Sequence, residues 1–220
     1  MTGQPLDGAR ALLADSASEI GKVRELLHFS LKRRNVADES ELAKIQVKVK
    51  NILENQRSAL EYIAHEAVGH FGESGKRSYY PLAPTPSEWL KVMRKNLPGV
   101  ESSRPDVTAL FEKHQPYQPG HEWMMKLSAQ VNDLKHKRLV PHVLDEIPFI
   151  DVGLPGGMSI RVPAELASEN VDVAPGVAVK RMTAVRWTFD GTDLGVRRTL
   201  DEAQEIVTAV VDDFAVYLNW

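Results

Sequence analysis

Three polar side chains form a ridge along one predicted helix. Arg57, Glu61 and His65 follow one another at four-residue steps, and each step turns the helix surface by only about 40° beyond a full turn. They therefore lie next to each other, beside the apolar stripe of the same helix. The spacing predicts a direct pair between Arg57 and Glu61. Glu61 and His65 are candidate binding residues, because they offer a carboxylate and an imidazole to a ligand.

A second predicted helix contains Asn132 and His136, four residues apart on one face, with Lys135 adjacent. If this helix packs against the first, Arg57 and His136 meet across the groove between them. An imidazole can act as general base or general acid, while Arg57 or Lys135 can stabilise developing negative charge. Asn132 would position one of these groups. The candidate catalytic residues are therefore His136, Arg57, Lys135 and Asn132.

Two other motifs fail on spacing. His65 and His70 are five residues apart, which separates them by about 140° around a helix instead of placing both on one face. The segment 72–77 resembles a phosphate-binding loop, but its first glycine is misplaced and Arg77 replaces the metal-binding hydroxyl, so it predicts a turn. No chelating spacing with carboxylates exists for the remaining histidines, His28, His114, His121 and His142. The sequence predicts no metal site and no cofactor.

Composition places the chain among ordinary globular proteins. Its 220 residues are 43% hydrophobic and 26% charged, far from the profile of disorder. There is no cysteine, which excludes disulfides and thiolate chemistry and favours a reducing cytoplasm. The sequence contains no apolar run of membrane-spanning length and no secretory signal, so no membrane partner is expected. A net charge of −3 argues against a basic coat over the whole surface, although not against a local patch.

The polar ridges depend on helices that the apolar periodicity predicts. A first helix over 6–34 and a second beginning after Asp38 form a long antiparallel hairpin. Three shorter helices are predicted over 85–97, 103–115 and 119–139, with Pro86 and Pro105 near two starts and Pro141 after the last. The basic residues near the hairpin turn favour a solvated helical face over a nucleic-acid surface.

Short β-branched runs separated by glycine and proline follow over 143–190. Strands are expected at 159–162, 177–179 and 183–189, as a small antiparallel sheet or meander. Thr199 and Glu202 form a predicted capping box for a last helix over 199–219, which returns to the bundle. The fold class is α+β, predominantly a helical bundle. One domain is predicted, with helices over 6–140 and 199–219 and a β-rich insertion over 143–190.

Three sequence blocks resemble a large family of uncharacterised bacterial proteins: Arg57-Ser58-Ala59-Leu60-Glu61-Tyr62, then Gln115-Pro116-Tyr117, then Asn132 to Leu139. This resemblance covers roughly residues 50–140 and implies no activity of its own. The polar residue and histidine at Asn132 and His136 more distantly resemble the motif of the HEPN superfamily of helical ribonucleases and nucleotide-binding proteins, although Val131 stands where that motif has arginine. This resemblance implies metal-independent RNA cleavage, a homodimer and a role in RNA processing or defence.

Two alternatives to catalysis stay open. Buried polar groups on packed helices usually satisfy one another, so the same residues can be structural. The chain can also be a non-catalytic module that binds a protein partner or small ligand, with Trp123 and Tyr117 as candidate binding residues in a helical groove or, on the structural reading, as core fillers. The long apolar stripe of the hairpin also predicts a possible homodimer.

Overall fold

Residues 4–32, 39–73, 75–133, 139–143, 149–153, 159–163, 179–182, 185–190, 192 and 194–220 are described by a computed structural model. This part of the chain is mostly helical, as predicted. None of its helices is long and apolar enough to cross a membrane.

Three long helices form the centre of the fold. They are α1 (Asp7–Lys32), α2 (Glu39–Phe71) and α7 (Val196–Leu218). Helices α1 and α2 pack along each other as the predicted hairpin, and α7 packs against both. Their apolar stripes face inward because leucine, isoleucine and valine recur at helical spacing, and the stripes supply most of the buried core. The turn between α1 and α2, with the proposed cap Asp38, lies outside the described residues.

A pair of glutamines links the three long helices inside the bundle. Gln56 of α2 is fully buried, and its Nε2 donates to Gln204 Oε1 at 3.1 Å and to the Leu200 carbonyl at 3.3 Å. Gln204 of α7 in turn donates to the Leu13 carbonyl of α1 at 2.9 Å. These bonds give both amide nitrogens a partner, whereas Gln56 Oε1 is buried without one within the described residues.

Four short helices lie between α2 and the strands. A 3₁₀ turn (Pro86–Glu88) leads into α3 (Trp89–Asn96), followed by α4 (Val100–Ser103), α5 (Pro105–Lys113) and α6 (Trp123–Asp133). Pro105 occupies the first position of α5, as predicted. The prediction that the last of these helices reaches Leu139 is wrong, because Leu139 begins a strand. Pro141 disfavours helical backbone at the residue before it and would clash with a preceding helical turn.

The described strands pair antiparallel in two groups. Strands β1 (Leu139–Val143) and β5 (Val185–Phe189) form one pair, with Leu139 opposite Phe189. Strand β2 (Phe149–Gly153) lies between β3 (Ser159–Pro163) and β4 (Val179–Met182). The β-rich stretch therefore begins at 139 rather than 143. One small sheet across 143–190 stays a prediction, and residues 177–178 of an expected strand lie outside the described part.

The predicted capping box of the last helix is wrong. Helix α7 begins at Val196, three residues before Thr199, and Gly195 precedes it without a side-chain cap. Val196 is fully buried, so an additional first turn places another apolar group in the core. Glu202 pairs with Arg198 at 2.5 Å instead of reaching back to a cap.

Candidate functional site

The predicted ridge on α2 is present, and its middle residue has a structural partner. Arg57 Nε lies 3.6 Å from Glu61 Oε1, as the spacing predicts. The other carboxylate oxygen of Glu61 accepts the backbone N–H of Tyr80 at 2.7 Å. Burial raises the pKa of Glu61, and the bonds from Tyr80 and Arg57 oppose that rise. His65, one turn further along, is exposed. Glu61 therefore holds two groups, the Arg57 side chain and the backbone of the neighbouring segment at Tyr80.

Gln115, from one of the three sequence blocks, anchors the same segment a few residues later. Its side chain is fully buried, and its Oε1 accepts the Ala83 N–H at 2.8 Å. Its Nε2 donates to the Pro81 and Phe111 carbonyls, each at 2.9 Å. The extended segment after α2 thus obtains from side chains the hydrogen bonds that a strand would obtain from a neighbouring strand.

The predicted catalytic residues are only partly described. Helices α2 and α6 pack against each other, which is the packing on which the predicted meeting of Arg57 and His136 depends. Asn132 belongs to α6, but its side chain is not among those described. Lys135 and His136 lie outside the described residues. The structure therefore brings together the helices that contain Arg57 and Asn132, and the meeting of Arg57 with His136 stays a prediction.

The two aromatic binding candidates occupy packing positions. Trp123 at the start of α6 is 7% exposed and belongs to the core. The half-buried Tyr117 donates its hydroxyl to Glu112 Oε1 at 3.0 Å. Burial, followed by this bond to the carboxylate, raises the pKa of Tyr117 to about 12. Both rings are used within the fold, which agrees with their alternative interpretation as core and groove residues.

A histidine–aspartate pair that the sequence did not predict joins α5 to α7. His114 at the end of α5 is 4% exposed, and its Nε2 lies 2.9 Å from Asp213 Oδ2. Lys113 donates to the same carboxylate oxygen. The ring of His121 meets His114 edge-to-face, with centroids 5.0 Å apart, and Phe214 packs 6.1 Å from the same ring.

Burial controls the protonation of this pair. It lowers the pKa of His114, the nearby His121 lowers it further, and Asp213 opposes both effects. The pKa of His121 is also lowered by burial. The bond from Lys113 holds the pKa of Asp213 below its usual range. At neutral pH the structure therefore contains two uncharged imidazoles beside an ionised carboxylate.

This arrangement can hold a proton at a defined atom. A proton on His114 Nε2 satisfies Asp213 and leaves Nδ1 as the basic nitrogen. The Nδ1 atoms of His114 and His121 are both buried without a hydrogen-bond partner within the described residues. Sequence reasoning considered these histidines only as metal ligands. It missed Asp213 because 99 residues separate it from His114.

Within the described residues, no group of three or more histidine or acidic side chains is arranged to hold a metal ion. No family model, curated protein or solved structure matches the chain. Functional inference therefore rests on the residues themselves.

Proposed function

We propose that the protein processes RNA, as a metal-independent endoribonuclease with His136 as its acid–base group. Arg57 or Lys135 stabilises the phosphate charge, and Asn132 positions the reacting groups. In this reaction the base removes the proton of a 2′-hydroxyl, and the 2′-oxygen forms a bond to the adjacent phosphorus. The bond from phosphorus to the 5′-oxygen breaks, and that oxygen receives a proton.

The packing of α2 against α6 supports this proposal. Arg57 belongs to one of these helices and Asn132 to the other, and His136 follows Asn132 by four residues in the sequence. The Arg57 side chain is 36% exposed, so an external phosphate can reach its guanidinium. Its partner Glu61 is held by the Tyr80 N–H, which orients the cation from one side.

The test is cleavage of a mixed RNA pool by the full chain in chelator. We expect His136→Ala and Arg57→Ala to lose cleavage, and Arg10→Ala to retain it, because Arg10 is an exposed cation elsewhere, on α1. Circular dichroism should show that all three variants are folded. Products should end in a 2′,3′-cyclic phosphate and a 5′-hydroxyl. Absence of cleavage by the native chain, or equal cleavage by His136→Ala, contradicts the proposal.

A non-catalytic binding module is the second candidate, and the internal contacts of the polar residues favour it. Glu61 and Tyr117 bond to other parts of the fold, while Trp123 is buried. If the cluster is only structural, Arg57→Ala should lower stability without changing any RNA product. The binding partner is then a protein or a small ligand.

The proposal also includes a homodimer through the α1–α2 hairpin in the cytoplasm. A groove of about 680 Å³ along this hairpin is lined by Glu19 of α1 and by Lys48 of α2, with Val47 58% exposed. Light scattering after gel filtration tests the dimer, which Val47→Glu should weaken. A monomer at all concentrations contradicts this part alone.

A further inference from the structure

Four exposed cations on α3 and on the loop that precedes it lack a carboxylate partner within the described residues. They are the exposed side chains of Lys76, Arg77, Lys91 and Lys95. Their neighbours differ, because Arg94 pairs with Glu101 at 2.6 Å and Arg104 pairs with Asp106 at 2.7 Å. Exposed cations without a carboxylate partner remain available to an external anion.

The fold holds the loop that contains Lys76 and Arg77 against the C-terminal end of α3, whose cations Lys91 and Lys95 lie one turn apart. The loop after α2 is tied to this end twice, since Glu73 N donates to the Pro98 carbonyl at 2.9 Å and Tyr79 N donates to the Asn96 carbonyl at 3.2 Å. Lys76 and Arg77 lie between these two bonds. Lys95 immediately precedes Asn96 in the helix.

Close backbone approach makes this attachment tight. A Cβ on Gly72 would lie 2.6 Å from the Pro98 carbonyl oxygen, and one on Gly99 would lie 2.9 Å from Glu73 N. Gly99 also has φ +84°, a conformation that other residues adopt at a cost. The loop backbone therefore lies directly on the turn after α3, which limits how far its cations can move from the helix.

Helix α3 turns its own cations outward. Trp89 and Met93 are buried, so Lys91 and Lys95, which occupy the opposite face one turn apart, point to solvent. Exposed apolar area accompanies the charges: Tyr79 is 52% exposed and Leu90 is 46% exposed. A lysine in the last helical turn also stabilises the helix end, but this explanation applies only to Lys95.

We propose that Lys76, Arg77, Tyr79, Lys91 and Lys95 form a surface that binds single-stranded RNA. The cations contact phosphates, and the exposed Tyr79 ring stacks on an unpaired base, which a duplex does not present. The choice of RNA rests on the proposed function, whereas the surface itself rests on these contacts. An anionic membrane or an acidic protein would use the charges but would not require an unpaired base.

The test measures fluorescence anisotropy of labelled oligouridine with the full chain. Four phosphate contacts predict a slope of about −2.8 for the logarithm of the association constant against the logarithm of salt concentration. Removing two contacts should weaken binding by about 25-fold at 0.1 M salt, a figure from the same relation. We therefore expect such a loss for Lys76→Ala/Arg77→Ala and for Lys91→Ala/Lys95→Ala. Tyr79→Ala should weaken binding about fivefold or more.

The matched control is Arg10→Ala/Lys126→Ala, which removes the same charge from exposed positions on α1 and α6. It should bind as the native chain does. Any of four results would overturn the proposed surface. They are unchanged binding by both test variants, an equal loss of binding in the control, equal affinity for an RNA duplex, and a preference for anionic vesicles.

Cleavage and binding can fail separately. Binding that the double variants lose, in a native chain that never cleaves, would support the surface and contradict the proposed nuclease. Cleavage by the native chain with undiminished binding by the double variants would contradict the surface alone. His136→Ala should bind oligouridine with native affinity, because His136 does not belong to this surface.

Discussion

Replacing Gln115 by alanine should destabilise the protein strongly, mainly because it removes the hydrogen bonds of a fully buried amide. The side chain makes three hydrogen bonds, to the Ala83 N–H and to the Pro81 and Phe111 carbonyls, at 2.8, 2.9 and 2.9 Å. Alanine removes all three and leaves the N–H of the fully buried Ala83 without its partner. Nothing else in the described fold replaces this donor–acceptor set.

The magnitude follows from the number of bonds. A neutral intramolecular hydrogen bond contributes about 1 kcal/mol, and an unsatisfied buried donor costs about 1–3 kcal/mol. We therefore expect Gln115→Ala to lower the free energy of unfolding by about 3–5 kcal/mol. Gln115→Glu keeps an acceptor for Ala83 but loses both donated bonds and buries a charge. It should destabilise at least as much.

Urea denaturation followed by circular dichroism measures the loss. The control is Gln118→Ala, because Gln118 is half-buried and its side chain makes no hydrogen bond within the described residues. Its effect should stay within about 0.5 kcal/mol. A loss below about 1 kcal/mol for Gln115→Ala, with an unchanged urea slope, would refute the reasoning, since the segment would then be held by other contacts.

Three further predictions concern charge and backbone conformation. The pKa of His114 is lowered in the folded protein, so near that pKa the histidine binds more protons in the unfolded chain than in the folded one. The free energy of unfolding should therefore fall as the pH drops from the ordinary histidine pKa of 6.5 toward the lower pKa of the folded state. In urea titrations His114→Gln should flatten this dependence, and equal slopes would contradict it. Gly99→Ala should lower the free energy of unfolding by more than about 1 kcal/mol, because Gly99 has a positive φ. Gly69→Ala should raise it by about 0.5–1 kcal/mol, since a Cβ there meets nothing within 4 Å. Thermal unfolding compares the two variants, and the opposite order of stabilities would refute the strain argument. Glu61→Ala should lower the free energy of unfolding by about 1–3 kcal/mol, because it leaves the Tyr80 N–H without its partner. Glu61→Gln should lose much less, because the amide oxygen still accepts this bond. Urea denaturation measures both variants.

The helices were predictable because their signal is local. Apolar residues at three- and four-residue steps indicated α1, α2 and the body of α7. Boundaries were less predictable, since α7 gains its first turn from burial of Val196, and the stretch at Leu139 follows strand pairing with Phe189. Neither the burial of Val196 nor the pairing of Leu139 with Phe189 produces a periodic pattern, because both depend on residues that are distant in sequence.

The candidate site was predictable only where one helix contains it. The i, i+4 step between Arg57 and Glu61 follows from helical geometry and is present. The bond of Glu61 to Tyr80 and the pair of His114 with Asp213 join distant parts of the chain, so no local spacing indicates them. Of the unpaired cations, Lys76 and Arg77 belong to a segment predicted only as a turn, and Lys91 and Lys95 belong to a predicted helix. Their grouping was not predictable, because it depends on how that loop packs against α3.

The Gln56–Gln204 pair has a consequence for how uniquely the bundle is assembled. Two smooth apolar stripes can slide past each other by one helical turn, about 5.4 Å, and still bury similar area. After such a slip, Gln56 would lose Gln204 and the Leu200 carbonyl, and its amide would face apolar side chains. The pair therefore penalises misaligned bundles more than it stabilises the correct one, as polar residues inside coiled coils do. A leucine pair at these positions would be expected to keep the bundle stable while admitting alternative alignments of α1, α2 and α7.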